Sequence, residues 1–437
     1  MRKSESTAFP IPALIKRNTA LFALSQSFTG TGMMFAYAIG PLMVIALTGS
    51  ASLAGLSVGL LGLSRFFVAY PVGKITDRYG RKPGILLGLV IGLIGTVMLG
   101  LSMRWRSVPL LVGGMFVFGM GMNAAQQLRV AATDMFPPRL RAQALGYIAL
   151  GSLAGLVLSP ILISAAETVA LSTGQDPLGL PWLWLPALIV LGMFLIAFVH
   201  PDPKEIGMHL ERYYPGYSPT PSGTQGHARK DFSVRVLLGD GPTRLAIVSN
   251  CAGVGNMAIV MVLTSLVLAH HGHSLSSIAF SHMLHAAGMF AFTIPLGKLA
   301  DRFGRNEVML PGVALALVGA GLVTFTDTYG LITLGTFLVG LGWAAANVAA
   351  TALIADRAET NQRGRAIGVS DTFGGAVSVL MALVTGPLIE WSGLPAAGVV
   401  AIAVSLAPLP VMIMNRTGRW SENTARPAGT KDTPPVS

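Results

Sequence analysis

Pro71-Val72-Gly73-Lys74-Ile75-Thr76-Asp77-Arg78-Tyr79-Gly80-Arg81 returns half a chain later as Pro295-Leu296-Gly297-Lys298-Leu299-Ala300-Asp301-Arg302-Phe303-Gly304-Arg305. The Pro, both Gly, the Lys, the Asp and both Arg agree in register, and long apolar runs flank each copy. Such agreement marks an internal duplication, with each copy at the same place in its own half.

A membrane-spanning helix needs about 20 mostly apolar residues. Working outward from the two copies gives twelve such runs: 19–47, 52–72, 84–103, 108–134, 142–166, 181–200, 244–269, 274–296, 308–326, 329–355, 366–389 and 393–414. The expected fold is therefore an all-α membrane protein, with twelve transmembrane helices in two pseudo-symmetric six-helix bundles at 19–200 and 244–414. A polar linker, 201–243, joins them and contains PGYSPTPSGTQGHARKD, which reads as flexible. Polar segments at 1–18 and 415–437 flank the bundles.

Composition agrees with this division. The chain is 52% hydrophobic and 11% charged, where a soluble domain carries about 25% charged residues. So few charges cannot cover a water-facing surface, so most of the exterior must face lipid. The sole cysteine, Cys251, excludes an internal disulfide framework and a Cys-built zinc site. The start is basic and holds Pro10 and Pro12, and the apolar run behind it is too long for a signal core, so the first helix is expected to remain. The net charge of +11 does not imply nucleic acid, because the basic residues sit in short loops between apolar runs. With a cytoplasmic N-terminus, the outer loops hold only Arg104 and Arg106, while Arg65 and Arg129 fall within spans. That bias places both termini in the cytoplasm.

The residues now on the page resemble the major facilitator superfamily, of the bacterial twelve-helix type. Gly73-x-x-x-Asp77-Arg78-x-Gly80-Arg81-Lys82 matches the family's loop motif in full, and the second copy departs at Asn306. Pro138-Arg139-Leu140-Arg141-Ala142 and Gln362-Arg363-Gly364-Arg365-Ala366 fit the corresponding later loops. The resemblance implies a multi-pass protein of a bacterial inner membrane that moves solutes by alternating access. It also implies a cytoplasmic gate built from Gly73, Asp77, Arg78, Gly80, Arg81 and Asp134, repeated by Gly297, Asp301, Arg302, Gly304, Arg305 and Asp356. Within it, Asp77 would sit on the N-terminus of helix eleven near Arg365 to Gly368, and Arg81 and Arg305 would pair with Asp134 and Asp356. A carboxylate at a helix N-terminus gains about 0.3–1 kcal/mol from the dipole when exposed. The alternative is that these charges only fix topology. Gly114 stands near where the family's fourth helix often has an arginine, and Ser159-Pro160 leaves the direction of transport open.

Polar side chains inside apolar spans are costly and mark functional sites. Arg65 lies eight residues before Gly73, roughly 12 Å along the helix. It is read as binding an anionic or polar solute group, or as a structural bond to a carbonyl or carboxylate. Gln26, Asn123, Gln126, Asn250 and Asn347 complete the candidate cavity, with Gln126 and Asn347 at matching steps after Gly119 and Gly340. Each could instead be a packing hydrogen bond of about 0.6 kcal/mol. Arg129, five residues before Asp134, is read as snorkelling or gate pairing. His282 and His285, one turn apart, are candidates for a proton relay or a hydrogen-bonded packing pair. No Asp or Glu is read inside the spans as a more usual proton carrier. The histidines lack the partners of a metal site, and the cluster His270, His271 and His273 reads as a solvated loop.

These features exclude the nucleotide-driven and enzymatic classes. No Gly-x-x-x-x-Gly-Lys-Ser loop is present, and no nucleophile with its base converges in the spans. The expectation is a secondary active transporter of a small organic solute, coupled to protons, working as a monomer in the bilayer without a cofactor. A uniporter, or a transporter fold reused as a sensor, remains the alternative.

Overall fold

The computed structural model of the protein describes residues 10–137, 140–215, 217, 233–358 and 362–416. Among them are ten helices long and apolar enough to cross a membrane, and two bent pairs that bring the count to twelve. We number the spans α1 (Ala13–Ala38 continued by Gly40–Thr48), α2 (Ala51–Tyr79), α3 (Arg81–Arg104), α4 (Val108–Asp134), α5 (Arg141–Thr173), α6 (Leu180–Ala197), α7 (Gly241–His270), α8 (Leu275–Ala291 continued by Thr293–Phe303), α9 (Asn306–Phe325), α10 (Tyr329–Arg357), α11 (Arg363–Ser392) and α12 (Leu394–Asn415). The N-terminal residues before Pro10, Pro138-Arg139, most of the PGYSPTPSGTQGHARKD segment and the tail beyond Arg416 lie outside the described residues.

Both bends have a proline just beyond them. In α1 the axis turns 46° at Ile39, ahead of Pro41. A proline has no N–H to give the carbonyl four residues back. The Tyr37 carbonyl is thereby freed, and Ser265 of α7 donates its hydroxyl to it at 3.1 Å. The break thus becomes a bond between the two halves. In α8 the axis turns 42° at Phe292, ahead of Pro295.

Glycines bring the helices into backbone contact at mirrored places. A Cβ on Gly121 of α4 would fall 2.1 Å from the Gly92 nitrogen of α3, and one on Gly342 of α10 would fall 2.4 Å from the Gly312 oxygen of α9. Only glycine tolerates either approach. Gly151 and Gly155 of α5 abut the carbonyls of Ala23 and Ser27 in α1. There Ser27 and Thr31 donate back to the Gly151 and Gly155 carbonyls at 2.9 and 3.2 Å.

Several boundaries differ from the sequence reading, for one reason: a helix does not stop where its hydrophobicity does. α1 starts at Ala13 behind Pro12, and Asn18 reaches the His200 carbonyl at 3.2 Å, so part of the polar start belongs to the bundle. The first motif copy is not a loop. Gly73 through Tyr79 form the last turns of α2, α3 begins at Arg81, and Gly80 alone makes the turn at φ 105°. Gly304 does the same in the second copy at φ 111°. The start of the linker is docked and folded, with helices at Pro203–Met208 and Leu210–Tyr213. Tyr214 is buried behind them and donates to the Met135 carbonyl at 3.1 Å.

Candidate functional site

The cavity lies between the halves, has a volume of about 630 Å³, and draws its walls from α1, α2, α4, α5, α7, α8 and α10. Its two ends differ. On the side away from Gly80 and Gly304, α2 and α11 touch through backbone. A Cβ on Gly55 would overlap the Ala382 carbonyl, and one on Gly59 or Gly62 would meet Leu383 or Val379 at 2.7 Å. Toward Gly80 the same two helices part. A Cβ on Gly73, Gly364 or Gly368 would meet no atom within 4 Å, and the same holds for Gly146 at the matching place on α5. The cavity is therefore sealed at the far end and open at the motif end.

Four of the candidate cavity residues, Gln26, Arg65, Asn123 and Gln126, line this space, with Gln127 and Arg129 beside them. Gln126 and Gln127 sit where helical bonding in α4 is interrupted after Ala125. Asn123 is partly committed, since its amide donates to the carbonyls of Leu61 and Gly119 and to Ser64. Arg129 does not pair with Asp134; its guanidinium lies over the Phe290 ring of α8, 5.9 Å from the centroid. Tyr37, Trp343 and the methionines Met33, Met34, Met257, Met261 and Met289 supply the apolar wall. Flexible thioethers adapt to ligands of different shapes.

The structure moves two candidates out of the cavity. Asn250 and Asn347 do not line it. Asn347 donates to Asn250 at 2.9 Å and Asn250 to Ser370 at 3.1 Å, a chain linking α10, α7 and α11. Gln126 and Asn347 match in sequence but not in environment, because α4 is interrupted at Gln126 whereas α10 runs unbroken through Asn347.

The histidine pair divides in the same way. His282 is fully buried outside the cavity wall, its Nδ1 2.9 Å from the Ile278 carbonyl and its Nε2 near the Met261 carbonyl and the Ser265 hydroxyl. His285 lines the cavity. Its Nδ1 is 2.8 Å from the Thr336 carbonyl, and a carbonyl only accepts, so Nδ1 carries the proton of the neutral ring. That leaves an Nε2 lone pair without a partner among the described residues, as is the Trp343 indole N–H on the same cavity wall. A buried polar atom without a partner is costly unless a ligand or proton satisfies it.

The spans do contain a carboxylate that the sequence reading passed over. Asp371 lies within α11, in the half opposite Arg65 of α2. Its position six residues beyond Arg365, inside an apolar run, was the available signal. No group of three or more His, Cys, Asp or Glu suited to a metal occurs among the described residues.

At the open end, Arg81 donates through Nε to Asp134 at 2.7 Å and through Nη1 to Asp77 at 3.2 Å. Arg305 repeats this with Asp356 at 3.0 Å and with Asp301. Those hydrogen bonds, first to Asp301 and then to Asp356, hold the Arg305 guanidinium above its usual pKa. Asp77 does not reach helix eleven. Its side chain is 76% exposed, because the halves stand apart at this end. Asp202 of the linker is instead the residue that caps a helix here, accepting from the Arg81 and Lys82 N–H groups of α3 at 3.0 Å each.

The sequence model of the Major Facilitator Superfamily matches residues 22–231 and 245–433. The MFS-type transporter YdeG of Bacillus subtilis (strain 168) is 26% identical over 92% of this chain and 93% of its own. The riboflavin transporter RfnT of Brucella anthropi is 24% identical over 86% and 90%. Among solved structures, the nucleoside transporter NupG superposes with a TM-score of 0.66 at 12% identity, covering 93% of this chain and 98% of NupG. A bacterial homologue of the human lysosomal transporter Spinster, in an inward-facing and occupied conformation, gives 0.63 at 15% identity over 92% and 98%. With the family match running through both halves that build the cavity, the chain belongs to the Major Facilitator Superfamily and is a transmembrane transporter.

Proposed function

We propose that the protein is a secondary active transporter of a small organic solute bearing an anionic group, working by alternating access and coupled to protons. The observation that carries this reading is the cavity. It is open at one end and shut at the other, and Arg65, Arg129, Gln26 and Gln126 line it with no carboxylate among the described lining residues. Its volume suits a small organic ligand, since such pockets run from about 300 to 1,000 Å³. The similarity to a riboflavin transporter supports a small organic solute. The excess of Lys and Arg at the motif end supports a cytoplasmic location for that end and for both termini. The structure then corresponds to an inward-facing state. Relatives in bacteria support a bacterial inner membrane, and a cavity completed within one chain supports a monomer.

In this reading Gly73, Asp77, Arg78, Gly80 and Arg81, with Asp134 and their second-half equivalents, form the cytoplasmic gate, standing open. Closing α2 onto α11 continues the contact already made at Gly55, Gly59 and Gly62 and brings Asp77 toward the start of α11. His285, rather than His282, carries the proton, because it is the one of the pair in the cavity lining and its Nε2 has no hydrogen-bond partner among the described residues. Protonated, it pairs with the solute anion; neutral, it releases it.

Flux into proteoliposomes, measured for panels of organic anions with and without an imposed pH gradient, tests the proposal. Arg65→Ala should raise the half-saturating concentration about ten- to hundred-fold, the value of a charge-assisted hydrogen bond. His285→Gln should abolish gradient-driven uptake and leave downhill exchange. A gradient without effect on the wild type would make the protein a uniporter. A cysteine at Thr224 in a Cys251→Ser background that labels only from outside would overturn the orientation.

A further inference from the structure

The sealed end of the cavity is held by two carboxylates that neither the motif copies nor the transport reading uses. Glu167, near the far end of α5, accepts from the Leu275 N–H through Oε1 at 3.1 Å and from the Ser276 N–H through Oε2 at 3.2 Å. Leu275 and Ser276 are the first residues of α8, so a side chain of the N-terminal half satisfies the free N–H groups of a helix in the C-terminal half. Glu390, at the corresponding place on α11, works in the opposite direction. Its Oε2 accepts from the Ser50 hydroxyl and the Ser52 N–H, both at 2.7 Å, in the turn that leads into α2.

The duplication relates α5 to α11 and α2 to α8, so the two bridges are one contact made twice, each half gripping the other. Glu390 lies where α11 and α2 are in backbone contact, Glu167 makes the equivalent contact between α5 and α8, and the motif end, where α2 and α11 part, has no such bridge among the described residues. A carboxylate at the start of a helix is stabilised by the free N–H groups and the dipole. That gain is lost when the halves separate.

We propose that Glu167 and Glu390 are reciprocal latches of the outer gate, and that their release opens the cavity to the outside. The inference rests on alternating access. It also predicts a difference between them. Glu167 uses both oxygens, so glutamine would keep one acceptor but turn its amide N–H₂ against the other backbone N–H, losing one of the two bonds and the charge. Glu390 uses one oxygen, so glutamine retains both bonds and only removal of the carbonyl breaks it.

The experiment reads conformation and not flux, so its outcome is separable from failure of the transport reading. Met33→Cys, on the cavity wall, is placed in a Cys251→Ser background and labelled with a membrane-impermeant thiol reagent from outside. Glu167→Gln should speed outside labelling on the order of three- to ten-fold, the equilibrium shift expected for one helix-terminus carboxylate. Glu390→Gln, which keeps both bonds but loses the charge, should label between the parent and Glu390→Ala, Glu390→Ala several-fold faster than the parent, and Glu167→Gln combined with Glu390→Ala fastest. Labelling from the cytoplasmic side in inverted vesicles confirms that each variant is folded and inserted. A double variant that labels normally from inside and no faster than the parent from outside would overturn the latches, and so would equal effects of Glu390→Gln and Glu390→Ala.

Discussion

The two copies of the motif have nearly the same residues and the same pair of ionic bonds, yet their surroundings differ. In the first copy Arg81 and Asp134 are 18% and 24% exposed, and the folded start of the linker closes over them. Asp202 caps α3 there, Lys204 reaches the Asp77 carbonyl at 2.6 Å, and Lys82 reaches the Ala197 and Val199 carbonyls at the end of α6. In the second copy Arg305 is 24% exposed but Asp356 is 55% exposed, and Asn306 stands where the first copy has Lys82. Duplication preserved the bonds. The folded start of the linker, docked on the first copy, made that set structural, while Asp356 of the second copy stays more than half exposed.

The largest consequence should appear on removing the central cation. Arg81→Ala leaves Asp134 largely buried without its partner and should cost about 1–3 kcal/mol. Arg305→Ala should cost about 0–1 kcal/mol, because water solvates Asp356 in its place. Thermal unfolding of the two purified variants compares them directly, and equal losses would show that burial is not the source of the asymmetry.

Next in size is the gate. Under the proposed gate, Asp77→Asn should impair flux while leaving insertion and melting temperature near wild type, since its side chain is 76% exposed and its pairing with Arg81 contributes little to stability. Asp301→Asn should impair flux less. Wild-type rates in both would remove the gate assignment from both copies.

Asp202→Ala should lower stability by about 1 kcal/mol through loss of the two N–H caps on α3. No position in the second half should show a matching effect, because no carboxylate caps the start of α9 among the described residues. The smallest change is Asn306→Lys, which completes the second motif. Expected within about 0.5 kcal/mol of wild type, it would sharpen the comparison by showing that the linker, and not the tenth motif residue, separates the two copies. A gain approaching that of the first copy in thermal unfolding would reverse that conclusion.

The architecture was legible in the sequence because a bilayer imposes a length and polarity on every helix, and because a duplicated motif fixes which helices correspond. Polar residues in apolar runs singled out Gln26, Arg65, Asn123 and Gln126 by the same logic. What composition could not resolve is which way such a residue faces. Asn250 and Asn347 carry the same signal as Gln126, and only their neighbours show that they bond to each other. His282 and His285 are one turn apart and both buried, and only their neighbours show that one has partners on both ring nitrogens while the other, in the cavity lining, has a partner on one. The bridges of Glu167 and Glu390 join residues 108 and 340 positions apart, and no local pattern encodes them. Helix formation and membrane insertion are local properties, fixed by each segment's own backbone and hydrophobicity. Whether a given end of the cavity is open, and which side chains meet there, depends on how two finished bundles lean on each other, and that is set by contacts only the tertiary structure brings into being.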